Sequence, residues 1–392
     1  MKKILIFLLA SLMIVTLSSC GPENSNQPDD DTTVTTKKEE VTTTPDVNIP
    51  PSTPKNETTI KLNEKSIDVA FLGMREDTSE SVLNANWPGS GFEVELECDG
   101  GMITVRTQTS DAVTFRVFID GEAWKNADES TYFTITGVKN IEIPDVPAGK
   151  HTVRIVRVSD KAAGTACFYN IVFEGKQLEL STTSDDALFI EFIGDGITVG
   201  AGLNGNACDA SQAYAYLVAN QLKVNYTITS FEGQGLISGT DPISTAYGKE
   251  GDFSPRADMI VVNVGSEDFA LTGDDAITAE AFETAYKAFL KNIRAKNGAT
   301  CKIVCVTTVA NETMRATVAK VCEDLGGADA GYYNNALTAS AANAPTSAEH
   351  TTYATELATY INSIKDATVK ITMLDLQDSG YGTEVDFDSA NW

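Results

Sequence analysis

The sequence predicts two folded domains in series, an antiparallel β-sandwich followed by an α/β domain with a parallel sheet between helices. Two observations carry this reading. From about Ser66 to residue 180, short runs alternate apolar and polar residues with turn residues between them, while from Ser181 onward largely apolar strands alternate with helical stretches. The length of 392 residues at 42% hydrophobic is enough for two cores, with a leader and a linker besides.

Residues 1–19 read as an export signal. Lys2 and Lys3 precede an apolar run from Ile4 to Leu17, too short for a comfortable membrane span and followed by small residues. The run ends in Leu17-Ser18-Ser19-Cys20-Gly21, which resembles a bacterial lipobox. That resemblance implies that Cys20 is acylated as the first residue of a mature lipoprotein, anchored to the outer face of a bacterial cell membrane. Residues 20–60 then form a Thr/Pro-rich tether. Positions 21–59 hold ten Thr and six Pro and no aromatic residue, too few apolar groups to offset the entropy of ordering. Stretched at roughly 3 Å per residue, such a tether reaches about 100 Å from a membrane.

Residues 61–182 give the sandwich. Phe92–Leu96, Ile103–Thr107, Phe115–Ile119 and Thr152–Val156 each place apolar side chains two apart, and Asp99-Gly100-Gly101, Asp120-Gly121 and Pro147-Ala148-Gly149 supply the turns. Residues 183–366 give the α/β domain. Strands are expected at Leu188–Ile193, Val224–Ser230, Met259–Val264 and Ile303–Thr307, and helices near Gln212–Leu222, over residues 279–294 and over Ser347–Lys365. In a parallel sheet the cleft lies beyond the carboxyl ends of the strands, so the turns after Ile193, Ser230 and Val264 should meet there. A C-terminal extension, 367–392, contains a candidate strand at Val369–Leu376 and an acidic tail.

Charge excludes several partners. With 29 Lys plus Arg against 55 Asp plus Glu the formal charge is -26, which repels nucleic acid and anionic lipid headgroups, so acylation rather than charge must hold the protein at a membrane. Only His151 and His350 are available for imidazole chemistry. His151 opens a sandwich strand, and His350 falls on the apolar stripe of the last helix with Tyr353, Leu357 and Ile361, so both read as structural. The six internal cysteines fit no metal spacing and read as buried thiols; no cofactor and no metal are expected.

At the turns the sequence resembles a known family. Gly194-Asp195-Gly196-Ile197-Thr198 is similar to the first block of the SGNH hydrolases, usually Gly-Asp-Ser-Ile-Thr. Gly233-Gln234-Gly235 resembles the second block, and Gly265-Ser266-Glu267-Asp268 the third, usually Gly-Thr-Asn-Asp. Gly73-Met74-Arg75, Trp87–Phe92, Asp120-Gly121 and Gly149–Val153 resemble the N-terminal domain of family 2 carbohydrate esterases, which deacetylate plant polysaccharides such as xylan. The resemblance implies a jelly-roll-like sandwich before an SGNH-hydrolase-type domain and runs in consistent order from about residue 62 to residue 365.

The departures from that pattern are chemical. The family's nucleophilic Ser falls on Gly196, which has nothing to attack with. Its oxyanion-donating Asn falls on Glu267, whose carboxylate repels a developing negative charge. Matching the last block to Ala341–His350 puts the catalytic His on Ala344 and its Asp on another alanine. Asp195, Gly233, Gly235 and Asp268 remain as block residues. The expectation is a surface lipoprotein that is catalytically inactive and binds polysaccharide, or a partner, through the degenerate cleft, with Trp87, Trp124 and Glu267 as candidate ligand contacts. Two other readings stay open: an active esterase with atypical catalytic residues, and a structural spacer.

Overall fold

The computed structural model describes residues 56–63, 65–73, 82–180, 187–249, 257–341 and 344–370. The leader, Cys20, the Met74-Arg75 motif, Ala342 and the candidate strand from Ile371 onward lie outside the described residues.

The sandwich comprises β1 (Glu57–Lys61), β2 (Val69–Leu72), β3 (Leu83–Asn84), β4 (Gly91–Cys98), β5 (Gly101–Ile119), β6 (Glu122–Ala123), β7 (Phe133–Val146), β8 (Gly149–Arg157) and β9 (Ala166–Gln177), all antiparallel. Two of the runs read from sequence, Ile103–Thr107 and Phe115–Ile119, are halves of the single strand β5. Its first half pairs with β9 through Thr104–Thr109 and its second with β8 through Phe115–Ile119, with a register shift against β7 between Thr109 and Val113. The long strand thereby passes from one layer to the other, as corner strands in sandwiches do at bulges. Between the layers lie Phe92, Val94, Phe115, Ile141, Ile155 and Phe168. The tether ends earlier than expected. Glu57 to Ile60 belong to β1, which pairs along β9 although Ile60 is its one buried residue.

The second domain is a parallel sheet of β10 (Phe189–Gly194), β11 (Asn225–Ser230), β12 (Met259–Asn263), β13 (Lys302–Val309) and β14 (Tyr332–Ser340), in the order β11-β10-β12-β13-β14. Its helices are α1 (Gly196–Val199), α2 (Tyr214–Leu222), α3 (Ile243–Lys249), α4 (Ser266–Ala270), α5 (Ala279–Asn297), α6 (Glu312–Asp324) and α7 (Ser347–Ile364). Strand alternation divides the core between two faces. Ile190, Phe192, Val261 and Val304 pack with α2 and α7, whereas Ile193, Ile260, Val262 and Ile303 pack with α5 and α6. Strand order reverses between β10 and β12, where Gly194 lies in register with Asn263, so the cleft expected of such sheets falls at the ends of these two strands.

The sandwich rests against α2 and β11. Arg154 of β8 donates to Glu93 within the sandwich at 2.6 Å and across the boundary to Asn220 at 2.6 Å. The Tyr226 hydroxyl donates to the Gly89 carbonyl at 2.7 Å. Asp209 is fully buried and accepts from Arg116, from Tyr132 at 2.9 Å and from Gln212 at 2.7 Å. All six internal cysteines are buried, and no disulfide joins them among the described residues.

Candidate functional site

The first turn is set by Asp195. Leaving β10, the chain caps α1 with this side chain, which accepts from the Ile197 N–H at 3.1 Å and from the Ser266 hydroxyl at 2.5 Å. The carboxyl is wholly buried, and burial pushes it up to about 7. Gly194 before it is compulsory, since a Cβ there would come within 2.7 Å of the Asn263 carbonyl. Gly196 is different. A Cβ on it would meet Ala201 Cβ at 3.3 Å, Glu267 Oε1 at 3.8 Å and Glu232 Cγ at 3.9 Å, with no backbone in the way. A side chain at 196 would thus press on the Ala201 methyl while meeting no backbone atom.

The second and third turns are bound together by Asp268. Its carboxylate accepts from the N–H groups of Leu236 at 2.6 Å, Ile237 at 3.1 Å and Ser238 at 3.0 Å, pinning the loop that follows Gly233 and Gly235. Gly265, just before α4, takes a positive φ of 113°, and a Cβ there would strike the Phe282 ring. This tight entry presents the neighbouring Glu267 to the space above Gly196. Glu267 is half-buried. Burial raises its carboxyl above the ordinary range, and the negative charges of Asp268 and Glu232 add to the shift. Ala344 is exposed, and its Cβ lies 4.0 Å from where a Gly202 Cβ would be. Gly196 and Glu267 therefore face one another across the block turns, with Ala344 beside Gly202 on the loop after α1.

Neither histidine serves this cleft. His350 is wholly buried in α7, its Nδ1 accepts from the Tyr214 N–H at 3.1 Å, and its ring stacks on Tyr214. Burial pushes it down to about 4, so it is neutral at physiological pH. His151 faces Asp120 Oδ2 at 2.8 Å and the Pro147 carbonyl at 3.1 Å, both in the sandwich. The offer of Trp87 as a sugar platform is corrected by its burial. No part of the residue is exposed, Phe231 meets its ring edge-on at 5.8 Å, and Lys161 Nζ lies 4.1 Å from the ring centroid, which leaves no face for a sugar. Trp124 is half-buried, packs on the sandwich core and donates to the Pro144 carbonyl at 2.9 Å. Thr198, buried, bonds the Tyr214 hydroxyl at 3.0 Å. With Asp195 and Asp268 bonded into the framework, no group of three or more His, Cys, Asp or Glu among the described residues is placed to hold a metal.

Three residues grouped next to the second block turn went unread in the sequence. Glu232 precedes the second block directly and borders Gly196. Its Oε2 accepts from the Cys208 thiol at 3.1 Å, and burial together with this carboxylate drives the thiol far above its ordinary value, so Cys208 is no thiolate nucleophile. Asp160, from the turn after β8, reaches the same pair from the sandwich side. Only Glu232 had a signal, its place beside Gly233; the other two arrive through contacts distant in sequence.

Comparison with known proteins agrees with this geometry. Residues 72–181 match the family model described as carbohydrate esterase 2 N-terminal, and residues 190–392 match that described as GDSL-like lipase/acylhydrolase. Similar solved structures include a family two carbohydrate esterase from Cellvibrio japonicus, at 17% identity and TM-score 0.64 over 79% of this chain and 99% of that one. An acetyl xylan esterase from the rumen bacterium Butyrivibrio proteoclasticus is 18% identical, with TM-score 0.64 over 78% and 98%. A family two carbohydrate esterase from Clostridium thermocellum in complex with cellohexaose is 19% identical, with TM-score 0.64 over 75% and 98%. At these identities the likeness is one of fold. No curated protein matches the chain. With the sandwich, the parallel sheet and the three block turns all in place, the chain belongs to the GDSL-like lipase/acylhydrolase family and carries a carbohydrate esterase 2 N-terminal domain in front of it.

Proposed function

We propose that this protein is a lipid-anchored surface protein that binds polysaccharide in the inherited cleft without hydrolysing it. The observation that carries the proposal is the surroundings of Gly196. Where a serine side chain would begin, the nearest atoms are the Ala201 methyl and two glutamate side chains, with no hydroxyl, thiol or imidazole among them. Loss of one catalytic group from a triad leaves residual turnover through the oxyanion hole. Here nucleophile, base and one oxyanion donor are missing together, at Gly196, Ala344 and Glu267. The solved relatives described as carbohydrate esterases, one of them in complex with cellohexaose, support a glycan as the ligand class.

The test uses the full-length protein. Retention on acetylated or deacetylated plant polysaccharide in affinity gels, with no acetate released from acetylxylan, is the expected result. Acetate release that one cleft substitution abolishes would replace this reading with that of an atypical esterase, and neither binding nor release would favour a spacer. Anchoring is tested separately. Cys20→Ser is expected to move the protein out of the membrane fraction and to stop incorporation of radiolabelled palmitate, and an unchanged distribution would remove the lipoprotein proposal.

A further inference from the structure

We infer that the solvent-facing side of the sandwich strands β1, β9, β5 and β7 binds a glycan bearing sparse carboxylates, such as uronic acid side groups on a neutral chain. This face is separate from the cleft, and its reading does not depend on what the cleft binds. Strand register builds it. Ile60, Ile171, Val105 and Ile141 stand opposite one another on the four strands and are all buried, so their row points into the core. The neighbouring row, Lys61, Asn170, Arg106 and Asn140, therefore points outward. Lys61, Arg106 and Asn140 are exposed and Asn170 is half-buried. A bulge in β9 adds an aromatic ring. Arg106 and Thr107 pair with Asn170 and Phe168, which leaves Tyr169 as the extra residue. The Arg106 guanidinium lies 5.9 Å from the centre of the Tyr169 ring, and the Tyr169 hydroxyl donates to Gln108 Oε1. An aromatic face, not a carboxylate, thus steadies the guanidinium.

Charge decides the ligand. The chain has 55 Asp plus Glu for 29 Lys plus Arg, yet among the described residues neither Lys61 nor Arg106 has an ion-pair partner. The two cations stand two strands apart, roughly 10 Å between Cα atoms, with an amide between them and another beside Arg106. A guanidinium forks onto a carboxylate, while amides both donate and accept, as sugar hydroxyls require. Val138, 54% exposed and opposite Gln108, offers apolar surface to the C–H side of a sugar ring. The carboxylates of this face stand one and two rows away, Glu142 opposite Thr104 and Glu57 opposite Glu174. They repel a densely charged polymer or an anionic bilayer and leave room for a single carboxylate at Arg106. The net charge of the chain opposes this contact little, because charges beyond about 8 Å are largely screened at physiological salt.

Affinity electrophoresis of the full-length protein tests this in gels holding glucuronoxylan or the same xylan after reduction of its carboxyl groups. Retardation through the cleft is common to both gels, so the sandwich face is read from the difference between them. The dissociation constant in the acidic gel is expected to be about fivefold lower than in the reduced one. Arg106→Gln is expected to abolish that difference and Lys61→Gln to shrink it, both at exposed positions that tolerate the change. Lys320→Gln, which removes an exposed cation of α6, should leave the difference intact. Equal retardation in the two gels, or a difference that survives Arg106→Gln, would overturn the inference and leave the cleft reading standing. Retardation in the acidic gel alone, lost on Arg106→Gln, would support the inference and count against xylan binding by the cleft. Cosedimentation of the Cys20→Ser protein with vesicles of phosphatidylserine and phosphatidylcholine, lost on Arg106→Gln, would overturn the glycan and assign the face to lipid.

Discussion

Asp195 and Asp268 match the family blocks and are held by hydrogen bonds that have no part in acyl transfer, one capping α1 and the other pinning three N–H groups. Gly196 and Glu267 depart from the family blocks, and the Glu267 carboxylate lies beside Gly196. Within the same turns, the residues that hold the fold are thus distinct from those that border Gly196. His350 belongs with the scaffold, and its burial has a measurable consequence. Its folded value of about 4 lies below the ordinary 6.5 of an unfolded chain, so between these two pH values the unfolded state binds the extra proton. Stability tied to His350 is therefore present above pH 6.5 and falls as the pH drops toward 4, by up to about 3 kcal/mol. Asp195, Asp160 and Glu191 have raised carboxyl values and pull the other way over part of this range, so the wild-type curve alone does not isolate the effect. Urea unfolding of wild type and His350→Gln at pH 7, 5.5 and 4 does. The variant is expected to be less stable at pH 7, with the gap closing toward pH 4; a gap that stays constant with pH would show that the imidazole is not desolvated.

At the scale of elements, legibility followed periodicity. β10, β12 and β13 are continuous apolar runs, and α5 and α7 repeat apolar residues at helical spacing, so their existence and near-boundaries are written locally. The start of α7 is also written locally, as a capping box between Thr346 and Glu349. β14 was not legible. Its sequence Tyr332–Ser340 buries residues irregularly, and it pairs with β13 through a register shift between Thr307 and Val309, so no period of two survives. β1 and β7 were missed because edge pairing, not a buried face, orders Glu57–Lys61, and because polar residues occupy much of Phe133–Val146. The same distinction applies to the site. The block turns were readable because each is one short segment, with Glu232 a single residue beyond what the motif covers. Asp160 and Cys208 come together only once the sandwich has docked, and Trp87 could not be assigned to core or surface because its burial depends on Phe231 and Lys161 from other segments.

That docking makes the whole molecule more than two domains on a string. Val156 of β8, with Leu72 and Phe118, belongs to the same core as α2 and α7, and Tyr226 on the outer strand of the parallel sheet is covered by Gly89 of the sandwich. Arg154 and Arg116 reach across to Asn220 and Asp209 from residues buried or half-buried in the joint. Asp209 has no exposure at all, so removing its partners leaves a desolvated charge, a change that typically costs about 3–5 kcal/mol. The α/β half is therefore expected not to stand alone. A chain lacking residues 56–180 should bind a hydrophobic dye, melt without a sharp cooperative transition and lose glycan binding, whereas Arg116→Ala in the intact chain should fold with a lowered melting temperature. Calorimetric melting of the two proteins decides the matter. A cooperative transition in the truncated chain at the wild-type temperature would mean that the sandwich is an appendage, and that the cleft owes its shape to the parallel sheet and its turns alone.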